Sequence, residues 1–267
     1  MSSDTLVASF GYHDVTDRPL ESGLQRPGAA PYTIGVDAFR QHLDAIEAGS
    51  LRPERVTAID LTAPGRHLIV TFDDGGRSAL HAADALSRRG WVGHFFIITG
   101  RIGERTFLDA DEIRHLHRSG HVIGSHSHTH PDIFREQTMT QMVTEWRTSC
   151  DRLADLLGEP CTVASVPGGD ISPRVLRSAA AAGLSFLFTS EPTLAPQSVG
   201  GCRVMGRLCI KATMAPGRIH ALAQFRGWER ALLVRRLKDL VRAALPGPYR
   251  LYARRQAREL STVSDER

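Results

Sequence analysis

The sequence predicts an α/β protein in which parallel strands alternate with helices. Short apolar runs of strand length recur between longer segments whose apolar residues have helical spacing. Glycine follows several of these helical segments, where a helix commonly ends. With 267 residues the chain is long enough for one barrel-sized domain and short for two independent ones. We therefore expect a parallel barrel or sheet covered by helices.

The first half of the chain begins with a strand and a helix and then repeats the pair. The helices are predicted from apolar residues three and four positions apart, with Gly49 and Gly90 as stops. The strands are apolar runs too short for helices. In order, the predicted elements are a strand at 6–12, a helix around Phe39, Leu43 and Ile46, a strand at 67–72, a helix at 78–89 and a strand at 91–98. Residues 17–32 form a polar loop rich in proline and glycine, which is typical of a functional rim.

The second half continues the alternation. Acidic residues at 109–112 favour the start of a helix, where the helix dipole stabilises negative charge. Gly158 and Pro160 end a longer helix, and Gly183 ends a shorter one. In order, the predicted elements are a helix from 109 to about 119, a strand at 121–125, a helix at 140–157, a strand at 162–166, a helix at 173–182 and a strand at 184–189.

Two adjacent carboxylates, Asp73 and Asp74, follow the predicted strand at 67–72. They therefore lie at the carboxyl end of a buried strand, where α/β enzymes hold their chemistry. Successive residues of a strand point to opposite sides, so both can face one cavity only if the chain turns at Gly75. The simpler alternative is a turn with two solvated carboxylates.

Three histidines, His126, His128 and His130, follow the predicted strand at 121–125. One carboxylate and two imidazoles would form a three-ligand metal site with room for water and substrate. The sequence alone does not choose the pair. His126 and His130 would share a face if the segment begins a helical turn, and a solvated polar loop is the alternative.

The segments Thr71-Phe72-Asp73-Asp74-Gly75 and His126–His130, the latter followed by Pro131, resemble the polysaccharide deacetylases. This is the NodB-homology family, also called carbohydrate esterase family 4. The resemblance extends from about Val7 to about Ile210. It implies an α/β fold with a distorted, NodB-like (β/α) barrel of about seven strands. It also implies that Asp73 is the catalytic base and that Asp74, His126 and His130 hold the metal.

The chain departs from this family at two places. Residues 165–169 stand where the third family motif is expected, but Ser165 replaces an arginine that usually orients the base, and Gly168 replaces a frequent tyrosine. The Leu-x-His motif whose histidine protonates the leaving amine is not found. We expect a backbone N–H of Pro167-Gly168-Gly169 to bind the oxyanion. His13, at the end of the first strand, is the best candidate for a replacement acid, and His128 is a candidate wall residue.

Charge is unevenly distributed. The net charge is +4, but residues from Arg226 onward contain 11 Lys and Arg against five Asp and Glu, a net +6. We therefore divide the chain into a barrel at 1–226 and a basic helix and tail at 227–267. This helix either packs on the barrel or docks on an anionic membrane, with Trp228, Leu232 and Leu233 as the apolar contacts. No nucleic-acid-binding motif accompanies the basic residues, so we expect no nucleic-acid partner.

The compartment is predicted from absent signals. The N-terminal residues show no signal peptide, no run of 18 apolar residues is present, and the four cysteines form no paired motif. We therefore expect a cytoplasmic protein, peripheral at the inner membrane face if the basic helix docks there.

Together these features predict a metal-dependent deacetylase that removes N-acetyl groups from an acetamido sugar of a bacterial polysaccharide or its precursor. The expected cofactor is a divalent metal, zinc in the first place, with cobalt or nickel as alternatives. The expected partner is an N-acetylated sugar, an oligosaccharide or a lipid-linked precursor, as in exopolysaccharide biosynthesis. Two alternatives remain. The same barrel could hydrolyse a non-sugar amide or ester, or the protein could be a catalytically silent sugar-binding module.

Overall fold

Strands and helices alternate as the sequence predicts. The structure is a computed structural model that describes residues 5–169, 171–244 and 247. The strands are β1 (Thr5–Tyr12), β2 (Gly65–Phe72), β3 (His94–Ile97), β4 (Val122–Ser125), β5 (Val163–Ser165), β6 (Phe186–Phe188), β7 (Gln197–Val199), β8 (Cys202–Met205) and β9 (Leu208–Cys209). The α-helices are α1 (Val36–Glu47), α2 (Ala79–Ser87), α3 (Ala110–Arg118), α4 (Met139–Leu157), α5 (Pro173–Ala181), α6 (Pro216–Ala223) and α7 (Trp228–Ala244).

Local capping chemistry sets the starts of the helices that precede the site strands. Asp109 and Thr138 each form a capping box with the residue three positions later, at the starts of α3 and α4. Ser172 caps α5, and Pro173 occupies the first helical position, where its missing N–H has no cost. Gly158 ends α4 in the left-handed conformation. These signals are local, which explains why the predicted helix bounds lie close to the observed ones.

The sheet is parallel except for one hairpin. Its order is β7-β8-β6-β5-β4-β3-β2-β1-β9, and only β7 and β8 pair antiparallel. The predicted α/β class and distorted, NodB-like (β/α) barrel are confirmed. The sheet has nine strands where about seven were expected, because β7 and the two-residue β9 add short strands at its edges.

A connection of two residues joins opposite sides of the sheet. β8 pairs with β6 on one side, whereas β9 pairs with β1 on the other. Only Gly206 and Arg207 separate these strands, so the two edges approach to within about 11 Å and the sheet must curve into a barrel. Gly206 has no room for a side chain, since a Cβ there would lie 2.2 Å from Thr193 Oγ1. Among the described residues no strand pairing closes this seam, and the Arg207 side chain that follows Gly206 is fully buried.

Alternate residues of β2 face different apolar clusters. Leu68 and Val70 belong to the main core beneath the helices, whereas Ile69 belongs to a second cluster with Phe96 and Phe188. By the two-residue period of a strand, Thr71 and Asp73 continue the face of Ile69. The barrel interior therefore leads directly to Asp73.

Helix α7 packs on the barrel through its first turns. Trp228 is buried, stacks on Phe10 and donates its indole N–H to Leu222 O. The predicted boundary at 226/227 stays a prediction, and the predicted tail at 245–267 lies, apart from residue 247, outside the described residues. No helix in the described part of the chain is both long and apolar enough to cross a bilayer.

Candidate metal centre and its paired carboxylate

The candidate site lies at the carboxyl ends of β2 and β4, with β5 beside them. Backbone bonds hold the residues that follow these strands: Asp73 N–H donates to Tyr12 O, and His126 N–H donates to Ile97 O. Asp73, Asp74 and His126 are each less than a tenth exposed. A buried ionisable group is costly unless it is paired or hydrogen-bonded, so each of these residues needs a partner within the site.

Asp73 and Asp74 diverge because the chain turns between them. Asp73 continues the inward face of β2, as the strand period requires. Asp74 has a φ of 75°, a left-handed conformation uncommon outside glycine, and Gly75 follows with a φ of 77°. The turn brings the Asp74 carboxylate back toward the histidine segment. The predicted turn after the strand is present, but it begins at Asp74 itself.

The histidine segment is not the start of a helical turn, so the geometric reason for pairing His126 with His130 was wrong. The segment after β4 is irregular, and Ser127 and His130 have φ values of 63° and 54°. Ser127 Oγ accepts from the His130 N–H, and Glu145 accepts from the backbone N–H groups of His128 and Thr129. Left-handed residues and side-chain bonds therefore shape this loop. Strained residues clustered in this way are typical of functional sites.

Asp74, His126 and His130 form one group of potential metal ligands. One ligand atom from each lies within 4.8 Å of the others. His126 Nε2 is 3.3 Å and His130 Nε2 is 3.8 Å from Asp74 Oδ1. His126 Nδ1 donates to Ser165 O at 3.0 Å, which leaves Nε2 to bind a metal.

This donor set fits a divalent cation such as zinc. One carboxylate oxygen and two imidazole nitrogens are common catalytic zinc ligands and leave coordination positions open. His130 Nδ1 is buried and has no hydrogen-bond partner among the described residues. A buried nitrogen without a partner is costly, which indicates that this ring is held for a purpose other than stability. The identity of the metal stays a prediction.

The surroundings of the two imidazoles shift their pKa values in opposite directions. Burial and the neighbouring charge of His126 lower the pKa of His130 to about 3, so this ring is neutral at physiological pH. Burial alone would lower the pKa of His126, but Asp73 and Asp74 raise it above its ordinary value. Burial likewise opposes the ionised form of Asp74, yet the hydrogen bond from His126 and the charges of the neighbouring imidazoles together keep the pKa of Asp74 below its ordinary value. A cation would therefore meet two available ligands and one imidazole that must lose a proton.

Asp73 is held by Arg207, a residue that the sequence did not indicate. Arg207 Nη1 and Nη2 donate to the two carboxylate oxygens of Asp73, each at 2.8 Å. Arg207 also donates to Thr71 Oγ1, Ser165 Oγ and Thr189 O. All five guanidinium N–H groups are thus used, and the Arg207 side chain is fully buried.

The sequence suggested that no arginine orients Asp73, because Ser165 stands where the family has that arginine. In the structure Arg207, in the β8–β9 connection, supplies the guanidinium instead. Ser165 is one of its hydrogen-bond acceptors. Burial raises the pKa of Asp73, but the charges of Arg207 and His126 and the hydrogen bonds from Arg207 together outweigh burial and hold that pKa well below its usual range. Asp73 is therefore ionised at neutral pH.

His13 lies at the same end of the barrel. Its side chain is partly buried, its Nδ1 has no partner among the described residues, and its ring lies 4.9 Å from that of Tyr32. A charge on His13 is one of the lesser causes that lower the pKa values of Asp73 and Asp74. His13 is thus within electrostatic reach of both carboxylates. Tyr32 belongs to the predicted rim loop at 17–32.

The remaining predicted residues differ in their placement. Pro167–Gly169 form a single helical turn after β5, with left-handed Gly168 and Gly169. Gly169 N–H donates to Val166 O, and Pro167 has no N–H, so Gly168 carries the remaining main-chain donor of this turn. His128 lies outside the ligand group, with its Nδ1 3.0 Å from Thr99 Oγ1. It contributes to the loop that carries His130.

The fold and the site together define a parallel α/β barrel protein with a candidate metal centre and a separate buried carboxylate. Residues 60–187 match the family model described as "Polysaccharide deacetylase". This segment contains Asp73 and all three potential ligands, and the resemblance to the polysaccharide deacetylases that its motifs predict is confirmed.

Three solved structures have a similar fold. The deacetylase PplD of Streptococcus pyogenes, in complex with acetate, has 18% identity and a TM-score of 0.68, over 82% of this chain and 98% of that one. IcaB from Ammonifex degensii has 22% identity and a TM-score of 0.67, over 83% and 98%. BC0361, a polysaccharide deacetylase from Bacillus cereus, has 19% identity and a TM-score of 0.68, over 82% and 69%. No curated protein matches the sequence.

Proposed function

We propose that the chain is a metal-dependent hydrolase that removes N-acetyl groups from an acetamido sugar of a bacterial polysaccharide or its precursor. One observation carries this proposal. An Asp-His-His ligand group lies beside a second buried carboxylate, inside the segment that matches the deacetylase family model. The ligand group alone would suit a structural metal. The adjacent ionised Asp73 supplies the base that hydrolysis requires.

Asp74, His126 and His130 would hold the metal, with zinc as the first candidate and cobalt or nickel as alternatives. A bound divalent cation would polarise the acetyl carbonyl and make water a better nucleophile near neutral pH. Asp74 offers an oxygen and His126 and His130 offer Nε2, as the spacing of these atoms allows. Ser165 O fixes the His126 ring by accepting from Nδ1.

Asp73 would accept the proton that the attacking water loses. It is ionised at neutral pH because Arg207 holds its pKa low, and the two-point contact fixes its plane. A carboxylate fixed in this way loses little orientational freedom when substrate binds. Arg207 would therefore act as a positioning residue, through Asp73.

His13 would protonate the leaving amine, and the turn at 167–169 would face the oxyanion. The role of His13 is supported by its place at the end of β1, by its unpartnered Nδ1 and by its electrostatic reach to Asp73. In the turn, the Gly168 N–H is the donor that could bind a developing oxyanion. His128 would support the wall of the site through Thr99. The products would be acetate and a free amine.

Acetate release from a panel of acetylated compounds tests this proposal. The panel contains N-acetylated oligosaccharides, nucleotide-linked and lipid-linked acetamido sugars, small amides and aryl acetates, each with zinc or cobalt. We expect release from acetamido sugars and loss of nearly all turnover in Asp73→Asn, with zinc still bound. Asp60→Asn is the matched control, since Asp60 is exposed and remote from the site.

Each alternative has its own outcome. Turnover of small amides or aryl acetates without turnover of acetamido sugars would favour the non-sugar hydrolase. Sugar binding with zinc bound, no turnover across the panel and no effect of Asp73→Asn would favour the sugar-binding module. A cytoplasmic location and a precursor substrate also remain proposals, and fractionation of the producing cell together with the precursor arms of the panel tests them.

A further inference from the structure

Helix α7 exposes an apolar stripe on the side that faces away from the barrel. Leu233, Leu237 and Leu240 are 59%, 55% and 67% exposed, and Val234 beside them is 49% exposed. Positions i, i+4 and i+7 share one face of a helix, so the three leucines form a continuous row about 10 Å long. Large exposed apolar side chains are rare elsewhere in the described residues, where Leu20 and Met139 are the other two.

The stripe is not the face by which α7 packs. Trp228 and Ala231 are buried against the barrel, and Arg235 forms an ion pair with Glu191 at 2.5 Å and donates to Gly169 O. Leu233 lies five residues after Trp228, a rotation of about 140° around the helix axis. The expectation that Trp228, Leu232 and Leu233 form one contact surface was therefore wrong. Trp228 is buried, Leu232 is half-buried and Leu233 is exposed.

Positive charge borders the stripe. Arg230 and Arg236 are exposed and lie on its two sides, and exposed Arg226 precedes the helix. Among the α7 side chains that the structure describes, Glu229 is the exposed acid. From Arg226 onward the sequence carries a net charge of +6. An apolar row between arginines on an interfacial helix is typical of a surface that enters the headgroup region of an anionic bilayer.

We propose that this face of α7, formed by Leu233, Val234, Leu237 and Leu240 with Arg230 and Arg236, is a docking surface for an anionic lipid membrane. A second copy of the chain fits less well. A symmetric contact would place the same arginines of two copies near one another, and Glu229 is the only exposed acid among the described α7 side chains that could offset them. An anionic leaflet supplies that negative charge.

Docking would also fix the orientation of the barrel relative to the membrane. Arg235 ties α7 to Gly169 and Glu191, which follow the carboxyl ends of β5 and β6. Helix α7 therefore lies beside the mouth that holds the candidate metal centre, with the docking surface on its outer side. If the proposed function holds, a membrane-anchored substrate would be presented to that mouth. Membrane binding itself does not depend on catalysis.

Cosedimentation of the full chain with vesicles tests the docking surface. We expect binding to phosphatidylcholine vesicles that contain phosphatidylglycerol, little binding to phosphatidylcholine alone, and release by salt. Arg230→Gln/Arg236→Gln should weaken binding about 30-fold, from the usual contribution of two basic residues at an anionic leaflet. Leu233→Ser/Leu237→Ser/Leu240→Ser should weaken it at least about tenfold.

Matched controls separate docking from general effects. Leu20→Ser removes an exposed leucine elsewhere, and Arg88→Gln/Arg118→Gln removes two exposed charges at the carboxyl ends of α2 and α3. Both should bind like the parent chain. Thermal unfolding and zinc titration verify that every variant is folded, independently of any turnover.

Three results would overturn the proposal. The first is the absence of binding to vesicles that contain phosphatidylglycerol, and the second is equal binding by the leucine variant and the parent chain. The third is a doubled mass in light scattering that the leucine variant returns to the monomer, because the stripe would then be an interface between copies of the chain.

Discussion

The candidate site has two halves that differ in how many of their polar atoms have hydrogen-bond partners. In the ligand half, three potential ligands approach one another, one imidazole nitrogen has no partner among the described residues, and two of the three residues have left-handed backbones. In the base half, Asp73 and Arg207 use every guanidinium N–H and both carboxylate oxygens. The halves are adjacent in sequence at Asp73 and Asp74.

This difference indicates distinct physical purposes. The ligand half holds electron-pair donors close together at the expense of stability, as a preformed binding site does. The base half resembles a buried structural ion pair whose members satisfy each other. We therefore expect changes in the base half to act mainly on folding and on the state of Asp73, and changes in the ligand half to act mainly on metal binding.

The largest effect should follow from Arg207→Gln. This change leaves the Asp73 carboxylate buried without a cation, and the free energy of unfolding should fall by about 3–5 kcal/mol. Denaturant unfolding followed by circular dichroism measures it. The double variant Asp73→Asn/Arg207→Gln should be more stable than Arg207→Gln alone, since no uncompensated charge remains. A double variant that loses the sum of the single losses would show that the two residues act independently.

The contribution of the Asp73–Arg207 pair to the free energy of unfolding depends on pH. The pKa of Asp73 is lower in the folded chain than in the unfolded one, so the pair stabilises the fold above the unfolded value of about 4. This stabilisation is lost as the pH falls through the depressed folded pKa. In Arg207→Gln, burial dominates and raises the pKa of Asp73, so stability should instead decrease as the pH rises through that value. Unfolding midpoints across acid pH measure the change of sign.

The next effect should appear in His130→Asn, and it should spare the fold. Asparagine tolerates the left-handed backbone of residue 130, so the metal-free chain should be as stable as the parent, or more stable by up to about 1 kcal/mol. Zinc affinity, measured by calorimetric titration, should fall at least about 100-fold because a ligand is lost. His128→Asn is the informative comparison. An equal loss of affinity there would mean that His128, not His130, is the ligand.

A smaller effect concerns the pH dependence of zinc binding. Asp73 and Asp74 outweigh burial and raise the pKa of His126, and this ring must become neutral before it can bind a cation. Below that pKa, zinc affinity should fall about tenfold for each pH unit, and above it the affinity should level off. Titrations in buffers of different ionisation enthalpy should show release of about one proton. Affinity independent of pH would mean that His126 is already neutral.

The smallest effect should come from Ser165→Ala. This change removes one of five acceptors around Arg207 and leaves the contact with Asp73 in place. The free energy of unfolding should fall by about 1 kcal/mol, as for a single buried hydrogen bond. A loss as large as that of Arg207→Gln would mean that Ser165 orients the guanidinium rather than only accepting from it.

The ligand half could be predicted from the sequence because its residues stand in short segments next to buried strands. Asp73 and Asp74 follow β2, and His126 and His130 follow β4. The reason given for the histidine pair was nevertheless wrong, because the loop at 127–130 is shaped by left-handed residues and by bonds to Glu145 of α4 that spacing does not encode. The roles of these residues stay predictions until the variants are measured.

The base half could not be predicted because its partner comes from a distant and irregular part of the chain. Arg207 lies 134 residues after Asp73, between two strands too short to show a periodic pattern. An arginine with Gly206 before it and apolar neighbours on both sides was the only local signal. Helix α7 shows a related limit, since its sequence contains two apolar stripes and does not reveal which one is buried.

The two-residue connection at Gly206 and Arg207 also sets an order of events during synthesis. The Asp73 carboxylate leaves the ribosome early, but its cation is made 134 residues later, after the family segment at 60–187 is complete. Until then β9 is not available to pair with β1, and Asp73 lacks the guanidinium that binds both of its oxygens. A nascent chain that ends within the family segment would hold both metal-binding loops yet could not form the finished site. The site can therefore be complete only after the chain has been made past Arg207, whose contact with Asp73 is long-range in sequence.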